Sequence, residues 1–347
     1  MRLIKILSFC LFIIFFLLSC SKVPTSPGGG ALPFEGPGWY VIDEANDSVT
    51  GVSLITFQIY RNIMPEANSA VMADIAFLPD SKIAYIAGGY TSWNSEGSHD
   101  IKAFDLSSGT VRYTYNIGLG NTIPSGGLKE EANKIYTVFY SDSGNGKFIR
   151  LSSYLGLEKT ISIGGMPQGL TVKDGNIFIS CINDYSYATN WVSIIPSGYS
   201  TAERFFITNK NPVSSCLSSD GNTLYLLCAG DWGLKYGSIV MITNILYPNR
   251  GIKNVYQLND FILGKIIEIN DRIFFTSSNG LYEYDPLLNN ASIVALNGKN
   301  LNDIDFKDGL IYITSGWGGT ECYILNFSTF EITKTLSVNG GMGALAD

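Results

Sequence analysis

Four of the five tryptophans in this chain stand in stretches that mix aromatic and small polar residues. Trp93 lies in Tyr90-Thr91-Ser92-Trp93-Asn94, Trp191 follows Asp184-Tyr185-Ser186-Tyr187, Trp232 follows Asp231, and Trp317 sits in Ser315-Gly316-Trp317-Gly318. An indole or phenol ring beside a carboxylate or amide can stack on a sugar or grip a peptide while its polar neighbour hydrogen-bonds. The candidate ligand-binding residues are therefore Trp93, Trp191, Trp232, Trp317, Tyr90, Tyr185, Asp184 and Asp231. The same rings would serve as packing between neighbouring elements, and both uses stay open at the level of sequence.

Residues suited to catalysis are sparse. His99 is the one histidine and stands in a Ser/Gly loop, where a solvated side chain is expected. No Ser-His-Asp or Cys-His set can be assembled without resting everything on it. No Gly-x-Ser-x-Gly strand-to-helix elbow occurs, and no catalytic residue is assigned. Carboxylates offer another route, hydrolysis supported by a divalent cation, with calcium as the candidate cofactor. Asp43, Glu44, Asp47, Asp184 and Asp231 are available, and Asp303 and Asp305 flank Ile304 so as to face either a channel or solvent. Plain exposure in loops accounts for these carboxylates too. Asp142-Ser143-Gly144-Asn145-Gly146 lacks the acidic residue that closes a calcium loop and reads as a turn; no metal site is assigned.

The elements that must hold these residues are short strands in a repeating hairpin. Lys82-Ile83-Ala84-Tyr85, Lys134-Ile135-Tyr136-Thr137, Asn176-Ile177-Phe178-Ile179, Thr223-Leu224-Tyr225-Leu226, Arg272-Ile273-Phe274-Phe275 and Leu310-Ile311-Tyr312-Ile313 each follow a polar turn. Successive anchors from Ile83 to Ile311 are 52, 42, 47, 49 and 38 residues apart, which suits a four-stranded propeller blade with variable loops. Further strands are expected over 101–105 and 110–116, 192–195 and 202–207, and 323–326 and 331–337. An aromatic content of 13% with only 15% charged residues fits a folded β-rich chain. No apolar 3.6-residue period occurs beyond the N-terminus, so helix content should be small.

The two ends complete this count. Gly38-Trp39-Tyr40-Val41-Ile42 has the form of a second strand with no first before it, and Gly343-Ala344-Leu345-Ala346-Asp347 of a first strand with no second after it. Joined, they make one blade, so the predicted fold is an all-β propeller of seven four-stranded blades over residues 39–347. A six-bladed ring remains the alternative if the N-terminal half-blade is misread.

The segment Thr160-Ile161-Ser162-Ile163-Gly164-Gly165-Met166-Pro167, leading into Asp174-Gly175-Asn176-Ile177-Phe178-Ile179, resembles the YVTN-type β-propeller repeat. Asn211-Pro212 with Asp220-Gly221-Asn222-Thr223-Leu224-Tyr225 is a second match, and the remaining copies keep less of the pattern. The resemblance covers 39–347 and implies a fold, not an activity. Such propellers include exported and surface proteins and relatives of lactonases, and calcium-dependent propeller lactonases work through Glu, Asn and Asp without His.

Ahead of the repeats, Arg2 and Lys5 precede an apolar run from Ile6 to Leu18, the length of a signal peptide's core and short for a membrane span. It ends in Leu17-Leu18-Ser19-Cys20, which resembles the bacterial lipobox. The resemblance implies cleavage before Cys20 and lipidation of its thiol. The organisation expected is a signal peptide at 1–19, a Pro/Gly/Ser-rich tether at 20–38 and the propeller at 39–347. That places the protein in the bacterial cell envelope, lipid-anchored to the outer membrane on its periplasmic or surface face. Losing Arg2 and Lys5 would carry the net charge from −7 to near −9. With no basic cluster in the chain, nucleic acid is not an expected partner; a glycan or a protein or peptide ligand is. Cys181, Cys216, Cys228 and Cys322 fall in strands, where buried unpaired thiols are expected. In particular, Ser218 opposite Thr223 would set Cys216 opposite Tyr225 and not Cys228. The predicted function is an exported, membrane-anchored binding or interaction module, with a cation-dependent lactonase-like hydrolase as the alternative.

Overall fold

The computed structural model describes residues 37–346, apart from 44–47, 65–71, 79–81, 89–98, 119, 142–143, 184–188, 232–235, 260–261, 263 and 317. These residues form seven antiparallel sheets arranged as a β-propeller, with no helix among them. Blade 2 is built from Met72–Leu78, Ile83–Gly88, Asp100–Asp105 and Thr110–Asn116. Blades 3 to 7 follow in sequence, with inner strands Leu128–Glu131, Met166–Lys173, Pro212–Leu217, Ile266–Ile269 and Leu301–Lys307. Each inner strand lies against the next around the centre, and Gly343–Ala346 returns to Met72–Leu78. That contact closes the ring.

Blade 1 is composite, as the two ends of the sequence predict. Gly343–Ala346 supplies the inner strand and pairs with Gly38–Asp43, setting Gly38 opposite Ala346 and Val41 opposite Gly343. Ser48–Ser53 and Ile59–Tyr60 complete the sheet. Blade 3 carries one strand that the repeat does not announce: Asn121–Thr122 pairs with the far end of Lys134–Ser141.

The core lies between blades. Trp39, Val41 and Val52 of blade 1 pack on Tyr312, Cys322 and Ile324 of blade 7. Tyr136, Val138 and Phe148 of blade 3 pack on Leu170, Ile177 and Ile179 of blade 4. Second and third strands such as Gly38–Asp43 and Asn190–Ile195 are buried on both faces, whereas outermost strands such as Ile332–Leu336 are largely exposed. Both faces of each inner hairpin therefore need apolar side chains, which is why the second strands read as continuous Ile/Tyr/Phe runs.

The Asp-Gly punctuation has a backbone reason. Asp174-Gly175 and Asp308-Gly309 are two-residue turns joining Lys173 to Asn176 and Lys307 to Leu310, with positive φ at both turn residues. This is the mirror-image turn whose twist matches a hairpin, and it favours Asp, Asn and Gly. Ala132-Asn133 and Asn270-Asp271 adopt the same backbone, so the turn outlives its motif in blades 3 and 6. The four strand cysteines are buried and unpaired, and Cys216 faces Tyr225 as the register argument requires.

Candidate functional site

The inner strands surround a cavity of 780 Å³ along the central channel, lined chiefly by blades 3 to 7. The sequence gives this region short, interrupted strands. Bulges at Met72/Asp74, Pro167/Gly169, Pro212/Ser214 and Leu301/Ile304 turn polar side chains sideways at equivalent places. Two of these are buried carboxylates acting as clasps. Asp74 accepts the amide of Ile75 on Oδ1 at 2.9 Å and that of Leu128, in the next blade, on Oδ2 at 2.9 Å. Asp303 repeats the arrangement with Ile304 at 2.8 Å and Gly343 at 2.8 Å. Between blades 5 and 6 the Ser214 hydroxyl takes the same place and accepts the Ile266 amide at 3.3 Å.

A lysine occupies the heart of this belt. Lys265 Nζ lies 2.7 Å from Asp303 Oδ1 and 3.3 Å from Asp305 Oδ1. Burial opposes its charge, but Asp303 and Asp305, with Asp74 behind them, outweigh burial and hold the ammonium above the ordinary lysine range. Burial raises the Asp74 carboxyl, and it raises Asp305 to about 6 despite the pull of Lys265. Lys129 lines the same cavity close enough to favour ionisation of both Asp74 and Asp305, and among the described residues its ammonium makes no hydrogen bond or ion pair. Lys173, at the far end, donates to the carbonyls of Ser218 at 2.9 Å and Ser219 at 2.8 Å. Gln168, Asn300, Asn302, the hydroxyls of Thr171 and Ser215, and the carboxylate of Glu268 also line the cavity. The channel thus presents the Lys129 ammonium, which acts on Asp74 and Asp305 without pairing with either, in a cavity that also holds amide and hydroxyl groups, a setting suited to a carboxylate-bearing polar ligand.

The carboxylates do not fit a divalent cation. Both oxygens of Asp74 and of Asp303 already accept amide protons, and Lys265 stands where Asp303 and Asp305 converge. Among the described residues no group of three or more His, Cys, Asp or Glu side chains could hold a metal ion.

Of the four tryptophans offered as ligand-binding residues, the described residues include Trp191. Trp191 is not in a loop but in the third strand of blade 4, only 1% exposed, with its Nε1 donating to Ser193 Oγ at 2.9 Å. Its ring fills the space beside Gly165, where a Cβ would lie 2.3 Å from it, and the Arg204 guanidinium covers it at 4.8 Å. A Cβ on Gly164 would in turn strike Arg204 at 2.3 Å, so the Gly-Gly pair of the repeat exists to seat these two side chains. Asp231 pairs with Lys210 at 2.7 Å, apart from the channel lining. Trp93, Trp232, Trp317, Tyr90, Tyr185 and Asp184 lie outside the described residues, as do Cys20, Glu44 and Asp47.

Two further expectations change. Asp43 is buried, accepting from Asn339 Nδ2 at 2.9 Å with Arg61 at 3.8 Å, and so ties blade 1 to the connection that leads into its inner strand. His99 is also buried, not solvated, and its Nδ1 donates to the Asn121 carbonyl at 2.9 Å. The channel lysines were missed because no motif marks them; the available signal was a basic residue at the mouth of an inner strand, as in Gly264-Lys265-Ile266 and Leu128-Lys129.

No family model matches the chain, and none of the curated proteins matches it in sequence. Solved structures do resemble it. A functionally unknown protein from Desulfotomaculum acetoxidans is 14% identical, covers 89% of this chain and 98% of its own, and superimposes with a TM-score of 0.64. The periplasmic gluconolactonase PpgL of Pseudomonas aeruginosa is 10% identical over 90% of this chain and 99% of its own, with a TM-score of 0.60. A protein of unknown function from Bacteroides caccae is 9% identical over 90% and 99%, at 0.53. At these identities the likeness is one of fold.

Proposed function

We propose that the protein is an exported, lipid-anchored propeller that binds a small polar ligand carrying a carboxylate, such as an acidic glycan or a peptide terminus, in its central channel. The observation that carries this reading is Lys129, on the wall of a 780 Å³ cavity whose lining mixes apolar side chains with amides, hydroxyls, Lys173, Lys265 and Glu268, and with no hydrogen bond or ion pair to its ammonium among the described residues. The Leu17-Leu18-Ser19-Cys20 sequence supports the anchor. A titration of the purified protein against uronic-acid and neutral oligosaccharides and acidic peptides, followed by calorimetry, tests it. Binding of an acidic ligand that falls at least ~10-fold in Lys129→Ala, with the melting temperature unchanged, is the expected result. Uniform indifference of the wild-type protein to all three ligand classes sinks the reading.

The gluconolactonase neighbour raises hydrolysis as an alternative, but the channel carboxylates are already committed to amides and to Lys265. Chelator therefore leaves the melting temperature unchanged in the binding module. A marked fall on chelation would favour the hydrolase.

A further inference from the structure

Among the described residues, most exposed large apolar side chains lie on one face of the ring. Ile55, Tyr154, Tyr199, Tyr247, Leu287 and Leu288 are all exposed, and every one lies in a turn between the third and fourth strands of its blade. Those turns share one face of the disc, and they represent blades 1, 3, 4, 5 and 6. Leu287 and Leu288, at 92% and 75% exposure, are the most prominent. Leu157, Ile252 and Ile332 extend the pattern at the start of fourth strands on the same side. Among the described residues, only Phe206 and Tyr236 of the large exposed apolar side chains lie toward the other face. Apolar side chains exposed at the equivalent turn of five blades suit an interaction face.

The chain enters the fold on that same face. Gly38 pairs with Ala346 at the end of the inner strand remote from the channel clasps. The carbonyl of Pro37 accepts the amide of Leu54 at 3.0 Å, which sets the entry point against the turn that carries Ile55. Residues 20–36 precede it, and even fully extended they reach no more than ~60 Å. A lipid on Cys20 would therefore keep this face within reach of the bilayer.

Charge does not supply the attraction. On this face Lys134 and Arg150 both pair with Glu158, Arg250 with Glu203, and Arg272 with Glu283. Exposed carboxylates at Asp174, Asp220, Asp271 and Asp308 also stand on this face, so attraction would come from its Tyr, Leu and Ile, the side chains that settle into a headgroup boundary. We infer that this turn face lies on the lipid bilayer, with Leu287, Leu288, Tyr247 and Tyr199 inserted at the interface and the clasped end of the channel turned away. The inference rests on the lipid anchor at Cys20 proposed above.

The test uses the processed protein purified from membranes and reconstituted in phosphatidylcholine vesicles. An environment-sensitive thiol probe is attached at Leu288→Cys or, as the opposite-face control, at Tyr236→Cys; both positions are exposed and the four strand cysteines are buried. The expected result is quenching of the Leu288 probe by brominated lipid and severalfold less quenching by aqueous iodide than at position 236. Equal iodide quenching at both positions overturns the inference while leaving the anchor intact. Shielding of the Leu288 probe from iodide without quenching by brominated lipid also overturns it, in favour of a protein covering that face. A parallel Cys20→Ser chain that stays in the membrane fraction defeats the anchor itself, and the two failures are thereby told apart.

Discussion

The carboxylate of Asp303 accepts the amide of Gly343 at 2.8 Å through Oδ2. Its other oxygen meets Lys265 Nζ at 2.7 Å. One side chain thus joins blade 7 to the entry of blade 6 and to the strand that closes the ring.

Removing that side chain should be severe. Asp303→Ala leaves the Gly343 amide unsatisfied and takes the nearest counter-ion from a buried lysine. A loss of about 3–5 kcal/mol is expected from breaking a buried pair. Asp305→Asn should not destabilise the protein at pH 7, because the neutral amide replaces a carboxylate that ionises there only against burial. Urea unfolding of the two variants checks the contrast.

Asp305 also gives the fold a pH dependence of definite sign. Burial raises its carboxyl from 3.8 to about 6 in the folded state. The folded protein therefore binds this proton more tightly than the unfolded chain does. The associated stability is fully present below pH 3.8 and is lost as the pH rises through 6, amounting to at most about 3 kcal/mol. Melting curves should show the wild type losing ground to Asp305→Asn between pH 4 and 7. A difference that stays constant over that range would contradict the raised value.

Deleting residues 341–347 removes the inner strand of blade 1 and uncovers Trp39, which is 1% exposed in the closed ring. A melting temperature like that of the full chain would refute closure through this strand. The expected outcome is a non-cooperative melt or a loss exceeding about 3 kcal/mol, since apolar contacts and a ladder disappear together.

Trp191→Ala should act on stability and not on a ligand surface. The indole is fully enclosed by Gly165, Arg204 and the blade 3 core, so truncation should cost about 3–5 kcal/mol. Trp191→Phe should recover much of this. Wild-type affinity for the channel ligand in the Trp191→Phe protein would separate the structural role from a binding one.

The blade count and its closure were legible because hairpin period and turn chemistry are local, and both survive in strings such as Asp174-Gly175-Asn176. The orientation of single side chains was not. Trp191 stands one residue inside a strand, placed there by the pairing of Asn190 with Ile182 on one side and Ile207 on the other. The Lys265 cluster depends on a bulge between Leu301 and Ile304 that breaks strict alternation. Nothing in the spacing of Asp303 and Asp305 reveals that both reach one ammonium carried by another blade. Asp43 and His99 read as loop residues because burial by neighbouring blades leaves no trace in their own flanks.

Pairing Gly38 with Ala346 also imposes an order on folding. The second strand of blade 1 is synthesised first, and the strand that covers its inner edge is synthesised last. Until Gly343–Ala346 arrives, Trp39 to Ile42 present an uncovered apolar ladder, the kind of edge that recruits other chains. The ring cannot be completed blade by blade from one end, as a stack of repeats can. Its most non-local strand pairing is the one that makes the protein a ring, the kind of contact whose loop-closure entropy slows folding.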